Sequence, residues 1–139
     1  MDTTAIDKAL ISIIEKRIQL NGLSYEDESY DDIEDELHDL EDDFIDEHGE
    51  ALEDIIGDVH EDFSVDTDVL SPLSYIAQEY VKVGDNELGA QFDANHAQGV
   101  PVEVDDLENK PTRLVIIPNP LRIILNLDSK NRKIVWQQQ

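Results

Sequence analysis

Between Ile18 and Val81 the chain has no Lys and no Arg, while residues 25 to 68 carry 22 of its 34 Asp and Glu residues. No neighbour in sequence cancels that charge, so this segment must keep its carboxylates in water and be held together by apolar contacts. Such a field is either a solvation device or a surface for a cationic partner. The apolar residues are spaced for the holding. Ile33, Leu37, Leu40 and Phe44 recur at helical intervals, and Leu52, Ile56, Val59 and Phe63 repeat the pattern 19 residues later. In one unbroken helix that offset turns the second stripe about 100° from the first, so the two could not share one flat seam. Gly49 lies between them and suits a helix C-terminus, with His48 favourably placed near the carbonyl end. The pattern predicts a hairpin of two acidic helices, near 29–47 and 50–62, with their stripes packed together.

Two further helices are expected. Ile6, Leu10, Ile13 or Ile14, and Ile18 define one from about 4 to 20, with Thr3 or Thr4 as N-cap and Asn21-Gly22 as its stop. Another starts at Ser71-Pro72, with Leu73, Ile76, Ala77 and Tyr80 as its inner face, and ends by Gly84. Residues 84–99, rich in Gly, Asp and Asn, read as a long loop anchored by Phe92. Strands follow at Val100–Val104, Arg113–Ile117, Leu121–Leu127 and Lys133–Gln137, with turns at Pro118-Asn119-Pro120 and across 128–132. The expected fold is α+β: about four N-terminal acidic helices packed on a small C-terminal antiparallel sheet of three to four strands. A length of 139 residues with 40% hydrophobic content fits one domain, comprising a helical part (1–83), the loop (84–99) and a β-meander (100–139).

Charge also divides the chain into poles. Arg113, Arg122, Lys130, Arg132 and Lys133 stand against Asp128 alone in residues 111–139, so the chain is a dipole in sequence with a net charge of −24. If the poles meet, the outward field shrinks; if not, the acidic face is fully available.

Catalytic and metal-binding patterns are poorly represented. Asp35 and His38 form one half of the paired motif that helix bundles use for two metal ions, but His48 and His60 lack matching partners. Asp66-Thr67-Asp68 and Asp93-Ala94-Asn95 open like calcium loops, yet Leu70 and Ala97 occupy the next ligand position. Ser71, Ser74 and Ser129 lack the glycine pattern of a nucleophile elbow, and no Gly-rich phosphate loop is present. No enzyme activity, metal or cofactor is therefore expected. Without cysteine the chain forms no disulfide, and its N-terminus lacks the basic, apolar run of a signal peptide. With no membrane span either, a cytoplasmic location is the default expectation.

Direct nucleic-acid binding is opposed by the charge, because affinity for phosphates comes from Lys and Arg releasing counterions. The favoured expectation is a non-enzymatic module that engages a basic protein through Asp32, Asp35, Glu36, Asp39, Asp42, Asp43 and Asp46 on a helical face. In charge and size the chain is similar to toxin-neutralising immunity proteins and to nucleic-acid mimics. The alternatives are a small acidic chaperone or adaptor for an apolar client, since secretion chaperones are similar in size and acidity, and a structural or self-associating domain. Ile134, Val135 and Trp136 on the last strand would then close the core or offer an edge to a second copy, leaving monomer and homodimer both open.

Overall fold

The computed structural model describes residues 2–105 and 111–138 and is α+β, with two α-helices, one short 3-10 turn and two antiparallel sheets. Helix α1 runs Thr3–Asn21 and is capped by Asp2, whose carboxylate accepts the Ala5 N–H at 3.1 Å, in place of the expected Thr3 or Thr4.

The largest correction is at Gly49. The two expected acidic helices are a single helix, α2, running Tyr30–Asp62 over 33 residues. One glycine in a helix interior costs only about 1 kcal/mol relative to Ala, and no Pro or Asn accompanies Gly49 to force a turn. The rotation between the two apolar stripes is accommodated by giving each half of α2 a different neighbour. Ion pairs from Lys16 to Glu36 and from Arg17 to Glu41 set the first half beside α1. The second half reaches the 3-10 turn Pro72–Tyr75, where His60 and Tyr75 meet edge to face at 6.4 Å between centroids. The helical hairpin is therefore α1 with α2. An added Cβ meets only Ile45 of its own helix at Gly49 and open space at Gly57. Gly49→Ala and Gly57→Ala should each raise stability by about 0.5–1 kcal/mol in urea titration, whereas a turn at Gly49 would make the first substitution destabilising.

Residues 71–83 also depart from expectation. Helix stops after Tyr75, and Ile76 pairs with Ile116 as a parallel bridge. Ile76 and Ala77 are buried and Leu73 and Tyr80 partly so, as the helical reading required, but most of that burial belongs to extended chain lying on the sheet. The chain then enters β1 (Val81–Asn86) and turns back as β2 (Gly89–Asp93), so the expected loop holds a hairpin. Phe92 anchors it, packing with Ala90 against Ile11 and Ile14 of α1.

The C-terminal meander follows the expected plan. Strands β3 (Val100–Val102), β4 (Thr112–Ile117), β5 (Arg122–Asn126) and β6 (Arg132–Gln137) form a sheet in that order, all antiparallel. Leu114, Ile116, Ile123 and Leu125 join the core built with α1 and α2, while Val115, Ile117 and Ile124 pack with Ala77 and Ala94 on the opposite face. Both faces of β4 and β5 are thus covered, which accounts for their nearly unbroken apolar sequences.

One buried acid ties these layers together. Asp7 of α1 is 1% exposed and accepts the Asn119 N–H at 2.8 Å, while the Gln138 side-chain amide approaches its other oxygen at 3.4 Å. Asn119 in turn donates to Asn86, Gly89 and Ala90. The α1 start, the β1–β2 hairpin, the β4–β5 turn and the end of β6 meet at this node. Burial pushes the Asp7 carboxyl above the usual range, although the Asn119 and Leu121 N–H groups pull the other way.

Candidate functional site: the acidic face of α2

Seventeen of the 33 residues of α2 are Asp or Glu. At about 1.5 Å rise per residue this is roughly one negative charge per 3 Å of helix, close to the spacing of about 3.4 Å along one strand of B-DNA. All seven carboxylates singled out from sequence, Asp32, Asp35, Glu36, Asp39, Asp42, Asp43 and Asp46, are exposed. On a helical wheel they occupy an arc of about 120°, opposite the buried Ile33, Leu37 and Phe44. They are brought together on one face, and among the described residues Glu36 alone of the seven is in an ion pair, with Lys16 at 2.7 Å.

The face is longer than the sequence reading allowed. Asp32, Asp35, Asp39, Asp42, Asp46, Glu50 and Glu53 succeed one another at intervals of three or four residues, and all are exposed. In a continuous helix they form one rail about 30 Å long. Glu50, Glu53 and Asp54 were missed because a turn was expected at Gly49, although the spacing itself crosses that residue without interruption.

The helix under this rail is held by packing rather than by charge. Asp31 and Asp32 favour the positive end of its dipole, but Glu61 and Asp62 oppose the negative end, and Ser29 makes no side-chain cap. Lys16 and Arg17 of α1 supply the only Lys or Arg ion pairs to α2 among the described residues.

The basic C-terminal residues are engaged elsewhere. Arg132 binds Asp93 through both terminal nitrogens at 3.0 and 3.2 Å, donates to the Ala94 carbonyl at 2.7 Å and holds the Asn126 side chain at 2.8 Å. That pairing keeps the Asp93 carboxyl below its usual range. Arg122 donates to the carbonyls of Pro118, Pro120 and Phe92, and Arg113 to that of Gly99. Lys133 alone approaches the acidic segment, above the Phe63 ring at 4.8 Å, just beyond the end of α2. No ion pair joins the two poles among the described residues.

The histidines and calcium-like loops have local roles. His60 is buried between the Thr67 carbonyl, which accepts from Nδ1 at 2.8 Å, and the Tyr75 hydroxyl at 3.4 Å from Nε2. His48 leans on Phe44, and His38 is exposed. Asp93 is taken by Arg132, Asn95 accepts the Ala97 N–H, and the Thr67 hydroxyl accepts the Glu103 N–H. Among the described residues no three His, Asp or Glu side chains are placed to hold a metal ion, and no helix is long and apolar enough to cross a membrane. Compared with protein-family models, curated proteins and solved structures, the chain finds no match, so the reading of this face rests on its own geometry and charge.

Proposed function

We propose that the protein is a non-enzymatic binding module whose α2 rail imitates a polyanion and occupies the basic surface of another protein. The observation that carries this reading is the exposed line of carboxylates from Asp32 to Glu53, on one face of a rigid helix and left unneutralised by the basic strands. The carboxylates of this line are held in order about 5 Å apart along the helix axis, which a solubilising tail would not require. Tyr25, 86% exposed and 4.7 Å from the Tyr30 ring, stands at the head of the rail and offers an aromatic face to an incoming Lys or Arg. A chaperone for an apolar client would call for a continuous apolar surface. The exposed large aliphatic residues instead fall in ones and twos on separate segments: Ile18 on α1, Val69 and Leu70 before the 3-10 turn, Val81 and Val83 on β1, and Ile134 on β6.

Such a module should compete with nucleic acid. Titrated against a panel of basic nucleic-acid-binding proteins loaded with a fluorescent duplex, it is expected to displace the duplex at low salt and to lose this ability as salt rises. Changing Asp39, Asp42, Asp43 and Asp46 together to Asn should weaken displacement by at least about tenfold and flatten its salt dependence. Equal displacement by the variant would refute the rail as the binding surface.

A further inference from the structure

His60 lies at the foot of α2, 7% exposed, with both ring nitrogens engaged. A carbonyl oxygen has no hydrogen to give, so the bond to Thr67 fixes the ring hydrogen on Nδ1 and leaves Nε2 as an acceptor. The Tyr75 hydroxyl accepts the Leu70 N–H at 3.1 Å and turns its own hydrogen toward Nε2, 3.4 Å away. The chain of bonds has one direction, from Leu70 through Tyr75 to His60, and it keeps that direction only while the imidazole is neutral.

These bonds hold a short segment in place. Asp66 and Thr67 are tied a second time, to Glu103, through the Asp66 N–H and the Thr67 hydroxyl. From Asp68 to Leu70 the one hydrogen bond among the described residues is that from Leu70 to Tyr75. Asp68, Val69 and Leu70 are all exposed, so no buried side chain takes its place.

Protonation reverses the chain at its longest link. With a hydrogen on each ring nitrogen, Nε2 becomes a donor and needs the Tyr75 oxygen as its acceptor. That oxygen can accept from Leu70 and His60 together, but the hydroxyl hydrogen is then left without an acceptor, on a tyrosine that is 0% exposed. The surrounding field does not bar a charge on the ring. The charged groups beside these contacts are Glu61 and Asp62 next to His60, Asp66 and Asp68 next to Thr67, Glu103 bonded to Thr67, and Lys133 over the Phe63 ring. The 3-10 turn adds no titratable group but Tyr75 itself.

We propose that His60 is a pH-operated clasp: the neutral imidazole holds residues 68–70 to the foot of α2 through Tyr75, and the imidazolium releases them. The opening is local. Asp66 and Thr67 keep their bonds to Glu103, and Leu37, Phe44 and Leu52 keep α2 in the core, so the acidic rail stays in place. Acidification thus frees a short loop beside the end of the acidic helix without unfolding the chain.

Amide hydrogen exchange followed by NMR from about pH 8 to about pH 5, the interval in which histidine side chains exchange their proton, tests this once each rate is divided by that of an unstructured chain at the same pH. The protection of the Leu70 amide should fall by roughly tenfold across the interval, while the amides of β4 and β5 show no such fall. His60→Gln takes up no proton, and Tyr75→Phe keeps the ring but not the hydroxyl. With the fold of each checked by circular dichroism, both should abolish the pH dependence, the second by leaving Leu70 unprotected throughout. Leu70 protection that does not change with pH in the unaltered chain, or that falls as steeply in His60→Gln, would overturn the proposal.

Discussion

Asp7→Ala should lower the unfolding free energy by about 2–3 kcal/mol in urea titration at neutral pH, leaving the buried Asn119 N–H without its acceptor. Asp7→Asn should cost less, since one amide oxygen still accepts that bond. Comparing this variant with the parent also reads out the sign of the proton linkage. A carboxyl whose folded value lies above the ordinary 3.8 holds its proton more tightly when folded. Its stabilising contribution is therefore complete below the ordinary value and lost as pH rises through the raised one. Asp93 acts in the opposite sense. Arg132 lowers its folded value, so its contribution is present above 3.8 and lost as pH falls through the lowered one. With self-repulsion also growing above the isoelectric point near 4.1, stability should be higher at about pH 5 than at about pH 8. Asp7→Asn should gain on the parent as pH rises from below 3.8 through the raised value of the Asp7 carboxyl. A difference between the two that does not change with pH would mean that Asp7 is not held against its charge.

What the sequence made legible was local, and what it concealed depended on distant partners. The stripes of α1 and α2 and the apolar runs of β4 to β6 lie within single elements, and the structure keeps them except at Ile18, which is 49% exposed. Gly49 was misread because a stripe that turns about 100° looks like two helices unless two different neighbours are available to receive it. Only the fold supplies those neighbours, α1 for one half of α2 and the 3-10 turn for the other. Leu73, Ile76, Ala77 and Tyr80 have helical spacing but are mostly placed by a bridge to β4, 40 residues away in sequence for Ile76 and Ile116. The acidic face was legible as far as the supposed turn and stopped there for the same reason. The destination of the basic tail was not legible at all, since the Arg132–Asp93 contact spans 39 residues and neither residue advertises the other.

Phe44→Ala should have the largest effect on stability of any change discussed, a loss of about 3–5 kcal/mol with a partial loss of helical circular dichroism. The ring is 2% exposed in the core shared with Leu10 and Ile13 of α1 and Leu37 and Leu52 of α2. That burial matters more here than in an ordinary helix. With half its residues acidic and, among the described residues, only Lys16 and Arg17 pairing with it from outside, α2 has little to offset its own repulsion except the apolar face. The loss should therefore be greatest at low salt and should shrink as salt screens the carboxylates, more steeply than for a core substitution remote from α2, such as Val115→Ala between the sheet and Ala77. Combining Phe44→Ala with Asp39, Asp42, Asp43 and Asp46 changed to Asn should recover part of the stability, because the helix then needs less packing to survive its charge. Additive effects of the two sets of changes, at every salt concentration, would show that the rail is tolerated without strain, and that the tension inferred between the charge of α2 and its packing does not exist.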